Sequence, residues 1–337
     1  MSDDRLALFA LESGREYGQS VARALGVRLA AHEEREFEWG QHKARTLEAV
    51  RGRDVYVVQS LHGDPEHSVN DKLCRLLFFL ASLKEAAADR VTAVVPYLCY
   101  SRKDRQTKDR DPVTTRYVAA LFEAVGVDCL LTVEVHNVAA FQNAFRCRTE
   151  HLETHALFAR HISARLGDRD LVVVSPDVGG VKRAARLREA LERSLDRPLP
   201  EAFLDKRRSE GRVSGAGLVG DVRDRTVLLV DDMICGGTTI VRAAALCHEA
   251  GALEVFVAAA HGVFMPEASR ALQEAPIERI AVLDHAPPFA LDAGFVESRL
   301  DVVDGASWVA EAIRRLHTDG SLTELVADGP SPPSGGR

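Results

Sequence analysis

Asp231 and Asp232 stand side by side after four apolar residues, in the segment VLLVDDMICGGTTIVRAA (residues 227–244). Paired carboxylates at the carboxyl end of a strand can accept hydrogen bonds from vicinal sugar hydroxyls or hold a cation. Cys235, Gly236, Gly237, Thr238 and Thr239 follow as a turn that opens a helix. Free backbone N–H groups at a helix N-terminus, with two hydroxyls beside them, suit a monophosphate. No Lys-Ser or Lys-Thr follows the glycines, so this is not a triphosphate-binding P-loop, and the Gly-x-Gly-x-x-Gly spacing of dinucleotide sites is absent. The plain alternative is an ordinary strand-to-helix turn with an acidic cap.

Three further groups of residues can do chemistry. Arg102, Lys103 and Arg105, with Asp104 among them, follow an apolar run and can face a polyanion. A solvated charge run is the plain alternative there. His136 follows LLTVEV and Asp177 follows LVVVSP, so an imidazole and a carboxylate at two strand ends can ligate one divalent cation, directly or through water. The pair Gly179–Gly180 after Asp177 allows close approach of the backbone to a ligand. Lys206 and Arg208 lie in the charged, Gly-rich stretch 205–220, which reads as a long mobile loop. A loop that delivers an ammonium and a guanidinium suits phosphoryl-type transfer, where stabilising charge on oxygen is most of the catalysis.

These residues need a scaffold that collects strand ends. Apolar, β-rich runs occur at 54–59, 91–96, 130–135, 171–175, 226–230, 254–260 and 279–283. Apolar residues at helical spacing fill 72–84, 115–125, 181–193 and 239–250. Short buried strands alternating with helices predict α/β architecture with mainly parallel sheets covered on both faces. Ligands bind beyond the carboxyl ends of such strands. The pattern runs twice, with a division near residue 150. This predicts domains at 5–150 and 151–318 and a disordered tail at 326–337, where the chain reads ADGPSPPSGGR.

Composition narrows the function class. The chain has 337 residues, is 46% apolar and 28% charged, and carries a net charge of −7. An acidic balance without a basic stripe argues against nucleic acid as a partner. The longest apolar run, around 76–83, is far short of the ~20 residues that cross a bilayer. The N-terminus has acids where a signal peptide needs bases. Six scattered cysteines show no zinc-ligand spacing. A cytoplasmic enzyme with no membrane partner is the expectation.

The segment 227–244 resembles the phosphoribosyl-pyrophosphate-binding motif shared by type I phosphoribosyltransferases and ribose-phosphate pyrophosphokinases. The rest of the chain resembles the second group. Residues 94–128, VVPYLCYSRKDRQTKDRDPVTTRYVAALFEAVGVD, are similar to its Pro-Tyr-x-x-Tyr-x-Arg-x-Asp-Arg segment. VVVSPDVGGVKRA (172–184), LDKRRSEGRVSGAGLVGDV (204–222) and AAHGVF (259–264) resemble three more of its segments, in the same order. The resemblance runs from about residue 6 to about residue 316. It implies two phosphoribosyltransferase-like domains with an active site between them. It also implies transfer of the pyrophosphoryl group of Mg-ATP to the C1 hydroxyl of ribose 5-phosphate. Arg102, Lys103, Asp104 and Arg105 then belong to the ATP site, together with Phe37, Trp39, Gly40 and Gln41. Asp231, Asp232 and Cys235 to Thr239 take ribose 5-phosphate. His136 and Asp177 take Mg²⁺, and Lys206 and Arg208 stabilise the transition state. A homodimer, or a hexamer built from dimers, is the implied assembly.

Three segments depart from the family pattern. Its Asp-Thr-Gly-Gly-Thr loop is Cys235-Gly236-Gly237-Thr238-Thr239 here, so one carboxylate and one hydroxyl are missing and Thr238 is gained. Its Phe-x-Asp-Gly-Glu segment is Phe37-Glu38-Trp39-Gly40-Gln41. Phe37 can still stack on adenine, while Trp39 either stacks on the base or packs at an interface. After His136 the chain reads Asn137-Val138-Ala139-Ala140-Phe141-Gln142-Asn143 in place of Ala-x-Gln-Ile-Gln-Gly. The departures leave two rival readings: a non-catalytic regulatory subunit, and a pyrophosphokinase for another sugar phosphate.

Overall fold

The buried runs are short and β-branched, and the stretches between them are amphipathic. The computed structural model resolves this alternation into two separate mainly parallel sheets. It describes residues 5–209 and 212–328; the side chains of 206–216 lie outside that description. The chain divides into two compact units, 1–153 with 305–337, and 154–304.

In the first unit the strands are β1 (Leu6–Ala10), β2 (His32–Glu36), β3 (His42–Thr46), β4 (Asp54–Val58), β5 (Arg90–Val95), β6 (Cys129–Val133) and β7 (Arg148–Leu152). The parallel sheet has the order β1-β4-β5-β6-β7, while β2 and β3 form a separate antiparallel ribbon. Helices α1 (Arg15–Leu25), α2 (Val69–Glu85), α3 (Thr114–Ala124) and α4 (Val138–Ala144) connect them. The start of α2 is a capping box: Ser68 accepts the Asp71 N–H, and Asp71 accepts the Ser68 N–H. Leu76, Phe79, Leu80 and Leu83 of that helix recur at helical spacing and are fully buried against Val55, Val57, Val91 and Ala93.

The second unit holds β8 (Leu171–Ser175), β9 (Glu201–Ser209), β10 (Arg212–Val219), β11 (Thr226–Ile234), β12 (Glu254–Gly262), β13 (Arg279–Leu283) and β14 (Leu300–Val303). Their order is β10-β9-β8-β11-β12-β13-β14, with only β10 antiparallel to its neighbour. Helices α5 (His155–Leu166), α6 (Val181–Leu195), α7 (Thr238–Glu249), α8 (Pro266–Glu274) and α9 (Ala293–Arg299) complete it. The stretch 205–220, expected to be a loop, is instead most of the β9–β10 ribbon. The reason lies at its root, where Phe203 pairs with Ser175 of β8, so the sheet edge templates an extended chain that polar residues then continue.

The last helices, α10 (Ala306–His317) and α11 (Leu322–Asp328), group with the first unit. A reading along the chain alone assigns residues up to 318 to the second half. Polar anchors hold α10 in the first unit. Asp54, 3% exposed, accepts from Arg90 Nε at 2.7 Å, from Tyr56 Oη at 3.0 Å and from His317 Nδ1 at 2.6 Å. Arg90 also donates to the Leu316 carbonyl at 2.9 Å. Residues 326–328 of the expected tail are helical, and 329–337 lie outside the described residues.

Burial acts to raise the Asp54 pKa, but the hydrogen bonds from Arg90 and His317 outweigh it, and the net shift is downward. A carboxylate held below its ordinary range contributes stability above the unfolded pKa and loses it as the pH falls. Asp54→Ala leaves Arg90 without its carboxylate in a half-buried site, so urea denaturation at pH 7 should show a loss of roughly 3 kcal/mol. The gap between variant and parent should narrow below pH 4.

Candidate active site

In the first unit, the loop after β5 carries Arg102 to Arg105. The loop is fixed at the start of α3: Thr115 Oγ1 donates to the Tyr100 carbonyl at 2.8 Å, and the Thr115 N–H donates to the Lys103 carbonyl at 3.2 Å. Arg102, Lys103 and Arg105 are exposed, and Asp104 is half-buried. Asn137 Nδ2 donates to Asp104 Oδ2 at 2.8 Å, while Asn137 Oδ1 accepts the Ala140 N–H at 3.2 Å and caps α4. One side chain thus ties the basic loop to the residue next to His136. His136 itself is exposed. The Val135 N–H donates to His151 Nε2 at 2.9 Å, which fixes the backbone just before it.

Three residues on these loops hold left-handed backbone without being glycine: Tyr100 (φ 60°), Arg110 (φ 69°) and Glu134 (φ 38°). Such conformations cost on the order of 1–3 kcal/mol and cluster at functional loops. Trp39 (φ 64°) is a fourth, at the tip of the β2–β3 ribbon. The tip is closed by the Phe37 N–H donating to the Gln41 carbonyl at 2.7 Å. The Arg35 guanidinium lies 4.9 Å from the Phe37 ring centroid. Trp39 is 99% exposed, so within its own chain it packs against nothing. Gly40 (φ 75°) completes the turn, and Gln41 is exposed.

In the second unit, β11 runs past the acid pair to Ile234, so Asp231 and Asp232 sit within the strand's last residues. Asp231 pairs in register with Ala259 of β12. Its Oδ1 accepts the Asp232 N–H at 2.8 Å. Burial, then the neighbouring charge of Asp232, raises the Asp231 pKa well above the ordinary carboxylate range; the charge of Arg183 opposes this. A half-buried and a buried carboxylate at adjacent positions resist double ionisation.

The turn Cys235 to Thr239 leads into α7, with Gly237 (φ 79°) as its N-cap. A Cβ at Gly237 would press on Leu272 at 3.4 Å and impose a side chain on left-handed backbone, so glycine is required there. No side chain caps this helix. The first-turn amides of Thr238, Thr239 and Ile240 have no intrahelical acceptor, and Thr238 and Thr239 are exposed. Such an arrangement of backbone donors can receive an anion.

Asp177 precedes a 3-10 turn, Val178–Gly180, and its Oδ1 accepts the Gly180 N–H at 3.0 Å. Gly180 is required by packing: a Cβ there would meet Ser175 Oγ at 2.6 Å. His136 belongs to the first unit and Asp177 to the second. Lys206 and Arg208 lie on β9, in register with Ala216 and Val213 of β10, and their side chains are outside the described residues. Three residues escaped the sequence reading: Arg183, Asn137 and Glu134. Asn137 was legible only as a helix cap, and Arg183 only as one charge on an amphipathic helix.

Comparison with known proteins agrees in every part of the chain that was matched. Residues 6–126 match the N-terminal domain of ribose phosphate pyrophosphokinase. Residues 200–327 match the phosphoribosyl synthetase-associated domain. Ribose-phosphate pyrophosphokinase 1 of Streptococcus pyogenes serotype M3 is 36% identical over 333 residues, covering 98% of this chain and 100% of the relative. The protein of the same name from Streptococcus pneumoniae serotype 4 is 35% identical over 329 residues, covering 96% and 98%. The crystal structure of phosphoribosylpyrophosphate synthetase from Mycobacterium smegmatis superposes with a TM-score of 0.84 at 34% identity, covering 94% of this chain and 100% of that one. With the α/β fold, the strand-end loops and both matched domains in agreement, the chain belongs to the ribose-phosphate pyrophosphokinase family.

Proposed function

We infer that this chain is a ribose-phosphate diphosphokinase. It transfers the pyrophosphoryl group of ATP to ribose 5-phosphate, giving phosphoribosyl pyrophosphate and AMP. The observation that carries the reading is the strand-end site of β11, an acid pair followed by an uncapped helix N-terminus. The amides of α7 bind the 5-phosphate, and Asp231 and Asp232 accept hydrogen bonds from the ribose hydroxyls. Arg102, Lys103 and Arg105 hold the triphosphate, and Asp104 keeps their loop in place through Asn137. Phe37, with Trp39, Gly40 and Gln41, receives the adenine.

The C1 oxygen attacks the β-phosphorus and loses its proton. The bond from that phosphorus to the α–β bridging oxygen breaks, and AMP departs with the oxygen. Lys206 and Arg208 stabilise the charge that builds on the transferred group.

Among the described residues, no cluster of three or more His, Cys, Asp or Glu side chains is arranged to hold a metal by itself. Mg²⁺ usually keeps several waters and binds through one or two protein ligands plus substrate phosphates, so one imidazole and one carboxylate are enough donors for it. His136 and Asp177 are the residues we assign to it, and the ion would neutralise charge on the phosphate oxygens. A homo-oligomer in the cytoplasm is the setting we propose, without nucleic-acid or membrane partners. Among the described residues no helix is long and apolar enough to cross a membrane.

The reading is tested with ATP and a panel of sugar phosphates, by following AMP. Ribose 5-phosphate should give the highest kcat/KM. Equal or better turnover of another sugar phosphate would move the assignment to that sugar.

Cys235 offers a sharper probe of the same site. A thiol is a weak hydrogen-bond partner where the family pattern that this segment resembles has a carboxylate. Cys235→Asp should therefore lower the ribose 5-phosphate KM about tenfold, the equivalent of ~1.4 kcal/mol. The new charge stands near Asp231, Asp232 and the substrate phosphate, so the gain should grow with Mg²⁺ concentration. A KM that rises at every Mg²⁺ level would show a site adapted to the thiol.

A further inference from the structure

We propose that Arg183 is a positioning residue for the sugar: its guanidinium favours the charged form of the Asp231–Asp232 pair, the form that best accepts hydrogen bonds from ribose hydroxyls. The inference rests on the reading of that pair as the acceptor for ribose 5-phosphate.

Arg183 is the third residue of α6, which begins directly after the turn capped by Asp177. Its Nη1 lies 3.9 Å from Asp232 Oδ1, and the two side chains are 17% and 7% exposed. That separation is too long for a hydrogen bond and short enough for a strong charge interaction away from bulk water. At that separation the guanidinium acts on this oxygen through its charge.

The need for such a charge follows from the pair itself. Two carboxylates half-buried to buried at adjacent positions compete for one proton. A protonated carboxyl has lost acceptor capacity, and the donors on a ribose ring need acceptors. The charged groups acting on Asp231 are Asp232, which disfavours its ionisation, and Arg183, which favours it. From the β12 side the nearest titratable neighbour in register is His261, opposite Met233, and its Nδ1 is 2.8 Å from His285 Nε2. Beyond the end of β8 stands Asp177, whose Oδ1 is engaged by the Gly180 N–H. Arg183 is thus a cation placed to offset the pair.

The test compares Arg183→Met and Arg183→Lys with the parent enzyme in steady-state assays from pH 6.5 to 9. Arg183→Met should raise the ribose 5-phosphate KM at least tenfold at pH 7 while the ATP KM stays within about twofold. The defect should shrink toward pH 9, where the acid pair ionises unaided. Arg183→Lys should recover most of the parent KM, because charge and not fork geometry is required. If Arg183→Met does not fold, as judged by its thermal melt, Arg183→Gln is read in the same assay. An unchanged ribose 5-phosphate KM, equal rises in both KM values, or a defect independent of pH would each overturn the inference. Asp231→Asn, run in parallel, separates the two levels. If that variant keeps the parent KM, the reading of the acid pair fails; if only the Arg183 variants keep it, the inference fails alone.

Discussion

Replacing Lys206 or Arg208 by alanine should lower kcat by about 10³-fold or more, with the dissociation constant for ATP changed by no more than about twofold. The transferred pyrophosphoryl group gains little covalent help from a protein. Catalysis comes from positioning and from positive charge aimed at the oxygens as their charge shifts. A cation that meets those oxygens mainly in the transition state changes kcat and leaves ground-state affinity nearly alone. Both residues lie on β9, two positions apart in sequence. They should act as a unit, so the double variant should cost little more than the worse single one. Rapid-quench single-turnover assays and calorimetric titration of ATP read the two quantities separately. An unchanged kcat in either single variant would remove that residue from the mechanism.

Asp231→Asn should weaken and stabilise the enzyme at once. Losing a charged acceptor for a ribose hydroxyl costs roughly 1.5–3 kcal/mol, so the ribose 5-phosphate KM should rise by about 10- to 100-fold. Stability should move the other way. The Asp231 pKa is raised in the folded state, by burial first and by Asp232 second. The folded protein therefore binds the proton more tightly than the unfolded chain does. Stability falls as the pH rises from the unfolded pKa to the folded one, and at neutral pH the deficit is largely in place. Asparagine keeps an oxygen for the Asp232 N–H and removes the titration. Urea denaturation at pH 7.5 should show a gain of roughly 1–2 kcal/mol, vanishing near pH 4. A variant that loses stability and keeps its KM would mark the acid pair as structural.

The parts of this molecule that were legible in advance are those whose signal is local. The run 226–230 is apolar and β-branched, the acids come directly after it, and the glycines and threonines open a helix within the next nine residues. Period, breaker and cap all lie within one short segment, and the segment folds as β11, turn and α7. The β9–β10 ribbon was opaque because charged and Gly-rich residues read as a loop, whereas its extended form is imposed by the edge of β8. The home of α10 was opaque for a related reason. Asp54 and His317 are 263 residues apart, and nothing near either one announces the other. Arg183 and Asn137 belong to the same class. Each looks locally like a helix surface charge or a cap, and each matters through a partner in a different segment of its unit. The strained Tyr100 and Glu134 could not be read at all, since neither residue type favours left-handed backbone.

The most direct test of the account is phosphorus NMR of a reaction containing the enzyme, Mg²⁺, ATP and ribose 5-phosphate. The account predicts one AMP for each sugar converted, retention of the 5-phosphate signal, and a new pair of coupled phosphorus signals from a pyrophosphate on C1. All of these should disappear when ribose 5-phosphate is omitted. ADP with a single new phosphate ester, or ATP left intact in the presence of the sugar, would contradict it.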